Sequence, residues 1–177
     1  MAELAGESSG ASDMTQSVIS ALRRVQFLKD VSDEFLARLA PLAQTVSVPA
    51  GSLVFRQGDV ATTFYLLLEG TVSLEICAPA VGCKRILTIE SGELLGLSPA
   101  LGEPRMAATA RALTDVLAVG LDAAGCLALC EAEPRFGYEL MKRTALALAK
   151  RLNATRLQLL NVYGDEMPTV ADERTIR

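Results

Sequence analysis

The sequence predicts a mainly-β α+β domain in which a small barrel or sandwich of short strands is flanked by helices. Three observations carry this reading. Between Thr45 and Leu121, short apolar or alternating runs (TVSVPAGSLVF, FYLLLEGTVSLEI, KRILTI, ATARALTDVLAVGL) are punctuated by Gly51, Gly58, Gly70, Gly82, Gly92 and Gly120, as expected for strands joined by tight turns. On both sides of that region apolar residues recur at three- and four-residue steps. Finally, 177 residues, 50% of them apolar, suffice to bury one core and are few for two.

Taken in order, residues 1–15 are rich in Ala, Gly, Ser and Glu with little periodicity, and are expected to form a disordered lead. From Ser17, residues Val18, Leu22 and Val25 and then Phe35, Leu36, Leu39 and Leu42 predict two short helices. Ser32 is a fitting cap for the second, with Asp33 and Glu34 in its first turn, and Pro41 limits its length. The β region follows. After Leu121 the stretch DAAGCLALCEAEP reads as a helix, and a longer one is expected over about 134–162. Its residues Met141, Ala145, Leu148, Leu152, Thr155 and Leu159 fit successive a and d heptad positions, predicting a helix that pairs with a second copy or a partner protein, or buries itself against its own strands. The domain therefore spans 16–162, and 163–177 reads as a flexible tail.

Composition narrows the function. With a net charge of −4 the chain lacks the overall basic surface that holds nucleic acid by neutralising phosphates. No apolar run approaches the roughly 18 residues needed to span a bilayer, and the acidic start lacks the basic and apolar parts of a secretory signal, so a cytoplasmic protein is expected, with no membrane partner. There is no histidine, which removes common zinc, haem and Ser-His or Cys-His chemistry. The four cysteines, Cys77, Cys83, Cys126 and Cys130, are expected as buried thiols rather than disulfides in a reducing compartment. A redox role for Cys126 and Cys130, four apart on a helix, is the enzyme-class rival. No nucleophile and base pair, metal cluster or nucleotide P-loop is evident, so the chain reads as a non-enzyme with no metal and no cofactor.

In FRQGDVATTFYLLLEGTVSL, the order Phe55, Gly58, Asp59, Phe64, Tyr65, Gly70 and Val72 resembles the cyclic-nucleotide-binding domain family, of the catabolite-activator type. The leading helix, TDVLAVGLD and the long closing helix fall where that family has them, so the resemblance covers about residues 20–162. It implies an eight-stranded double-stranded β-helix, a jelly-roll-like barrel around one ligand cavity, flanked by N-terminal helices and a long C-terminal helix. Bacterial transcription factors of the family follow that helix with a DNA-reading module. Here only 14 residues follow Tyr163, fewer than such a module requires, so no nucleic-acid partner is expected.

The family's phosphate-binding loop runs Gly-Glu-Leu-Ala, a short stretch, then Pro-Arg-Ala-Ala-Thr. Its Glu accepts from the ribose 2′-hydroxyl and its Arg grips the phosphate, a charged bidentate contact beside free backbone amides. The corresponding stretch here is Gly96, Leu97, Ser98 and Pro99, then Arg105, Met106, Ala107, Ala108 and Thr109. Laid without gaps, Leu97 stands for the Glu, Pro99 for an amide-donating Ala and Met106 for the Arg. A one-residue shift brings Arg105 to the Arg position but leaves an extra residue for a β-bulge to absorb. Each lost charge-assisted bond costs about 1.5–3 kcal/mol, so losing two or three takes a micromolar ligand to millimolar. The leading expectation is a degenerate, weakly binding or vestigial site on a regulatory or accessory subunit of a larger complex. Some free-standing members of the family resemble accessory subunits of soluble redox enzymes, hydrogenases included. The alternative is a sensor that holds a small anionic ligand, a cyclic nucleotide or another metabolite, through Arg105 and the amides near Ala107 and Ala108.

Overall fold

The structure, a computed structural model, describes residues 7–80 and 82–163. Its middle is a pair of four-stranded antiparallel sheets. The first has the order β1 (Ala43–Val48), β8 (Val116–Asp122), β3 (Thr63–Glu69), β6 (Leu94–Leu95). The second has the order β2 (Leu53–Phe55), β7 (Thr109–Ala112), β4 (Val72–Ala78), β5 (Gly82–Ile89). Each sheet ends in edge strands among the described residues, so the expected barrel is an open roll of two sheets. Short strands of two to eight residues, interrupted by bulges at Leu53/Phe55, Leu67/Glu69 and Leu74/Glu75, bend the sheets without closing them.

Side-chain alternation explains how the layers stack. In β3, Phe64 and Leu66 face one core while Leu67 faces the other; in β8, Val119 and Leu121 go with the first and Val116 and Ala118 with the second. The inner strands β3 and β8 of the first sheet are thus buried on both faces. One face meets Val72, Leu74, Ile89, Ala110 and Ala112 of the second sheet, and the other meets the helices. Each such large side chain stabilises the fold by about 1.5–3 kcal/mol.

The helices on that outer face are α1 (Glu7–Arg23), α2 (Asp33–Leu39), α4 (Ala123–Ala132) and α5 (Pro134–Tyr163). A short α3 (Leu97–Ala100) sits between β6 and β7. Ser32 caps α2, its Oγ accepting from Phe35 N–H, and a 3-10 turn containing Pro41 ends the segment. Asp122 caps α4 by accepting from Gly125 N–H at 2.7 Å. Phe136 at the start of α5 stacks on Phe35 of α2 with ring centroids 4.4 Å apart, which fixes the base of the long helix.

Two further sequence expectations change. Helix α1 begins at Glu7, inside the expected disordered lead of 1–15, because Glu, Ser, Ala and Met permit a helix without an apolar stripe and Gly10 costs only about 1 kcal/mol. Residues 1–6, and the expected tail from 164 on, lie outside the described residues. Cys77 and Cys83, expected as thiols, form a disulfide. The β4–β5 hairpin sets them directly opposite each other, a register that their six-residue spacing does not reveal.

Gly70, between β3 and β4, has φ +89°, and a Cβ there would stand 2.3 Å from the Asp115 carbonyl oxygen. Gly70→Ala is expected to lower stability by at least about 2 kcal/mol, read as a reduced urea midpoint at unchanged slope.

Candidate functional site

Strand β6 delivers the chain to Gly96, whose left-handed backbone (φ +81°, ψ 62°) turns it against Phe64, 3.4 Å from where a Cβ would sit. Leu97, Ser98, Pro99 and Ala100 then make one turn of helix. Pro99 and Ala100 are buried, and Leu97 packs on the core shared with the helices. The chain returns through Arg105 to Thr109, where β7 begins.

The return leg is stitched to the Gly58-Asp59 turn. Gly58 N–H donates to Met106 O at 2.8 Å, Met106 N–H to Asp59 O at 2.9 Å, and Ala61 N–H to Pro104 O at 3.0 Å. An isolated antiparallel bridge joins Val60 to Arg105. The turn is itself closed by Asp59, whose Oδ2 accepts from Arg56 N–H. At the far end Thr109 Oγ1 accepts from Gln57 N–H at 3.0 Å.

Alternation along this leg separates the two residues that compete for the anion-gripping position. Met106 is buried. Arg105 is exposed, and its Nη1 donates to Gly58 O at 2.7 Å. The register shifts of the sheets fall elsewhere among the described pairs, so no bulge turns Arg105 inward. Across the loop, Ser98 Oγ accepts from Ala107 N–H at 3.2 Å. A hydroxyl of the chain therefore holds an amide on which an anion could rest, while Ala108 is half-buried beside it.

Glu93, near the loop entrance, is engaged elsewhere: its Oε2 accepts from Glu90 N–H and its Oε1 pairs with Lys150 of α5. Burial opposes ionisation of Glu93, but those two hydrogen bonds and the charges of Lys150 and Arg151 outweigh it, holding the carboxyl below its usual range. A network that sequence reasoning missed lies on the outer face of the second sheet. Arg111 donates to Glu75 Oε1 and to Gly51 O, and Ser73 Oγ donates to the same Glu75 oxygen. Only the strand register, which sets Ser73 opposite Arg111, brings these groups together.

Cys126 is buried in α4 and Cys130 is half-buried. Burial first, then the neighbouring Cys130 and Asp122, push the Cys126 thiol up to about 12; burial and Glu131 raise Cys130. Both are held as protonated thiols at neutral pH, which is poor chemistry for a nucleophile. Among the described residues, no group of three or more His, Cys, Asp and Glu side chains is placed to hold a metal ion, and no helix is long and apolar enough to cross a membrane. On α5, Met141 packs on the core, whereas Ala145, Leu148, Leu152, Thr155 and Leu159 are exposed.

Residues 45–133 match the family model for the cyclic nucleotide-binding domain. The CRP-like cAMP-activated global transcriptional regulator of Mycobacterium tuberculosis is 28% identical over 152 residues, covering 83% of this chain and 64% of its own. The cAMP-dependent protein kinase regulatory subunit of Schizosaccharomyces pombe is 28% identical over 147 residues, covering 83% of this chain and 32% of its own. This chain thus spans less than two thirds of either relative. Among solved structures, a cyclic nucleotide-binding domain from Methylobacillus flagellatus superposes with a TM-score of 0.71 at 18% identity, covering 92% of this chain and 88% of that one, a likeness of fold.

The opposite burial of adjacent side chains gives opposite expectations for stability. Met106→Ala should cost about 2–4 kcal/mol through the cavity it leaves, and Arg105→Ala less than about 1 kcal/mol, both read from urea unfolding. Because the unfolded thiol ionises near 9 and the buried Cys126 thiol only near 12, stability is expected to fall as pH rises between those values. Iodoacetamide at pH 8 should accordingly label Cys126 only after denaturation, as read by mass spectrometry.

Proposed function

The chain belongs to the cyclic nucleotide-binding domain family, and from that premise we propose that it is a non-enzymatic regulatory module whose working contact is a protein surface instead of tightly held cyclic AMP. One observation carries the reading: the Met106 and Ala107 amides, two of the groups that would receive the nucleotide's phosphate, are engaged within the chain. Ser98 Oγ holds Ala107 N–H, Asp59 O holds Met106 N–H, Gly58 O takes one donor of the Arg105 guanidinium, and Met106, which the gapless match sets at the family's phosphate-gripping arginine, is buried. A nucleotide would break these bonds, displace a packed side chain and still find no acceptor for its ribose hydroxyl at Leu97.

The closing helix supports a protein contact. At 30 residues α5 is about 45 Å long, and from Ala145 onward its a and d positions lie exposed. Leu148, Leu152 and Leu159 on one stripe are about half exposed, spaced for knobs-into-holes packing with a second copy. In this reading the paired module acts as a regulatory or accessory subunit of a larger complex, and residues 16–162 are its working unit.

A second reading has one observation in its favour. Arg105 is exposed at the mouth of the loop and held by a single hydrogen bond, so its guanidinium is available to a small anionic ligand that leaves the Met106 side buried.

Cyclic AMP and cyclic GMP at millimolar concentration are expected to leave the melting temperature unchanged; a rise of several degrees, abolished by Arg105→Ala, would establish the sensor instead. The double variant Leu97→Glu with Met106→Arg should gain measurable cyclic AMP affinity by calorimetry. Sedimentation should give a dimer for the unmodified chain and a monomer for Leu152→Glu with Leu159→Glu. A stoichiometric partner recovered from the native host would identify the larger complex.

A further inference from the structure

Away from the loop, a cavity of about 280 Å³ opens between α5, the turn that precedes β6 and the 3-10 turn at Gln26–Leu28. Phe27, Leu94, Leu146 and Ala147 give it apolar walls. Leu146 is 62% exposed, an apolar side chain left in water at the mouth. Three cations line the cavity: Arg143, Lys150 and Arg151.

The charges do not cancel. Arg143 is fully engaged, with two of its nitrogens on Glu139 Oε1 and Nη1 on Phe27 O at 2.9 Å. Lys150 pairs with Glu93. Arg151 remains: its Nη2 donates to Leu94 O, and its Nε and Nη1 have no hydrogen-bond acceptor among the described residues. Neither nitrogen is sealed inside the protein. Desolvation lowers the Arg151 pKa to about 10, against the pull of Glu93, so the group stays charged at neutral pH while poorly hydrated. A half-buried guanidinium with open donors, one net positive charge and adjoining apolar walls matches a single anionic head carrying an apolar body.

We propose that this cavity binds a small amphipathic monocarboxylate, its carboxylate on Arg151 and its apolar body against Phe27, Leu94 and Leu146. The site is separate from the loop at 96–109. It lies where the middle of α5 is tied to the roll, so an occupant bridges Arg151 and the Leu94 wall and tightens that attachment.

Octanoate is the probe, titrated into the full chain by calorimetry with acetate and octan-1-ol as controls and amide NMR to locate the contact. The expected result is saturable one-to-one octanoate binding with shifts centred on Phe27, Leu94, Leu146 and Arg151, and no saturable binding of acetate or octan-1-ol. Arg151→Gln keeps a donor for Leu94 O but removes the charge, and should weaken binding at least about tenfold. Leu146→Asp, at an exposed position, should do the same by placing a like charge at the mouth. The proposal is overturned by the absence of saturable binding up to about 10 mM, by octan-1-ol binding as well as octanoate, by undiminished affinity in both variants, or by shifts centred on 96–109.

Discussion

The bond from Ala107 N–H to Ser98 Oγ closes the loop across its own mouth, and the rest of the site is arranged around that closure. It ties the outgoing helical turn to the returning leg, which the Gly58-Asp59 turn holds from the other side. Each backbone bond contributes only about 0.5–1.5 kcal/mol net, yet together they satisfy the groups that an unoccupied anion site leaves open to solvent or ligand. Burial of Met106 adds a hydrophobic term in the same direction. A ligand entering here would have to exceed the sum of these contributions before gaining any net affinity.

The segment that leads into the loop also ties the roll to the long helix. Strand β6 is two residues long, and it joins the turn that carries Glu93 to the glycine that opens the loop. The same turn is held by Phe27 N–H on Gly92 O, by Leu67 on both sides, and by Lys150 and Arg151 of α5. Loop and helix therefore share a short, well-anchored segment. Under the proposed reading, a contact made at α5 would act on the roll through this segment.

Much of this was legible in the sequence. Short apolar runs between glycines gave the strands, Ser32 and Pro41 bracketed a helix, and heptad spacing marked α5. The loop's departures, Leu97, Pro99 and Met106, could be named from the resemblance alone. What could not be read depends on register and pairing. Whether Arg105 or Met106 turns inward is decided by alternation along a leg pinned to a turn some 45 residues earlier in the chain. The Cys77–Cys83 disulfide and the Ser73–Glu75–Arg111 network likewise arise from cross-strand neighbours, which local composition does not encode. The early start of α1 was missed because propensity without an apolar stripe leaves no periodic signal.

The most direct measurement is the hydrogen-exchange rate of the Ala107 amide, followed by NMR with and without saturating cyclic AMP. If Ser98 already occupies that donor, the amide exchanges slowly in the free protein and the nucleotide changes neither its rate nor its chemical shift. Fast exchange in the free chain, slowed on adding cyclic AMP, would mean that the loop stands open for a phosphate and would contradict the account.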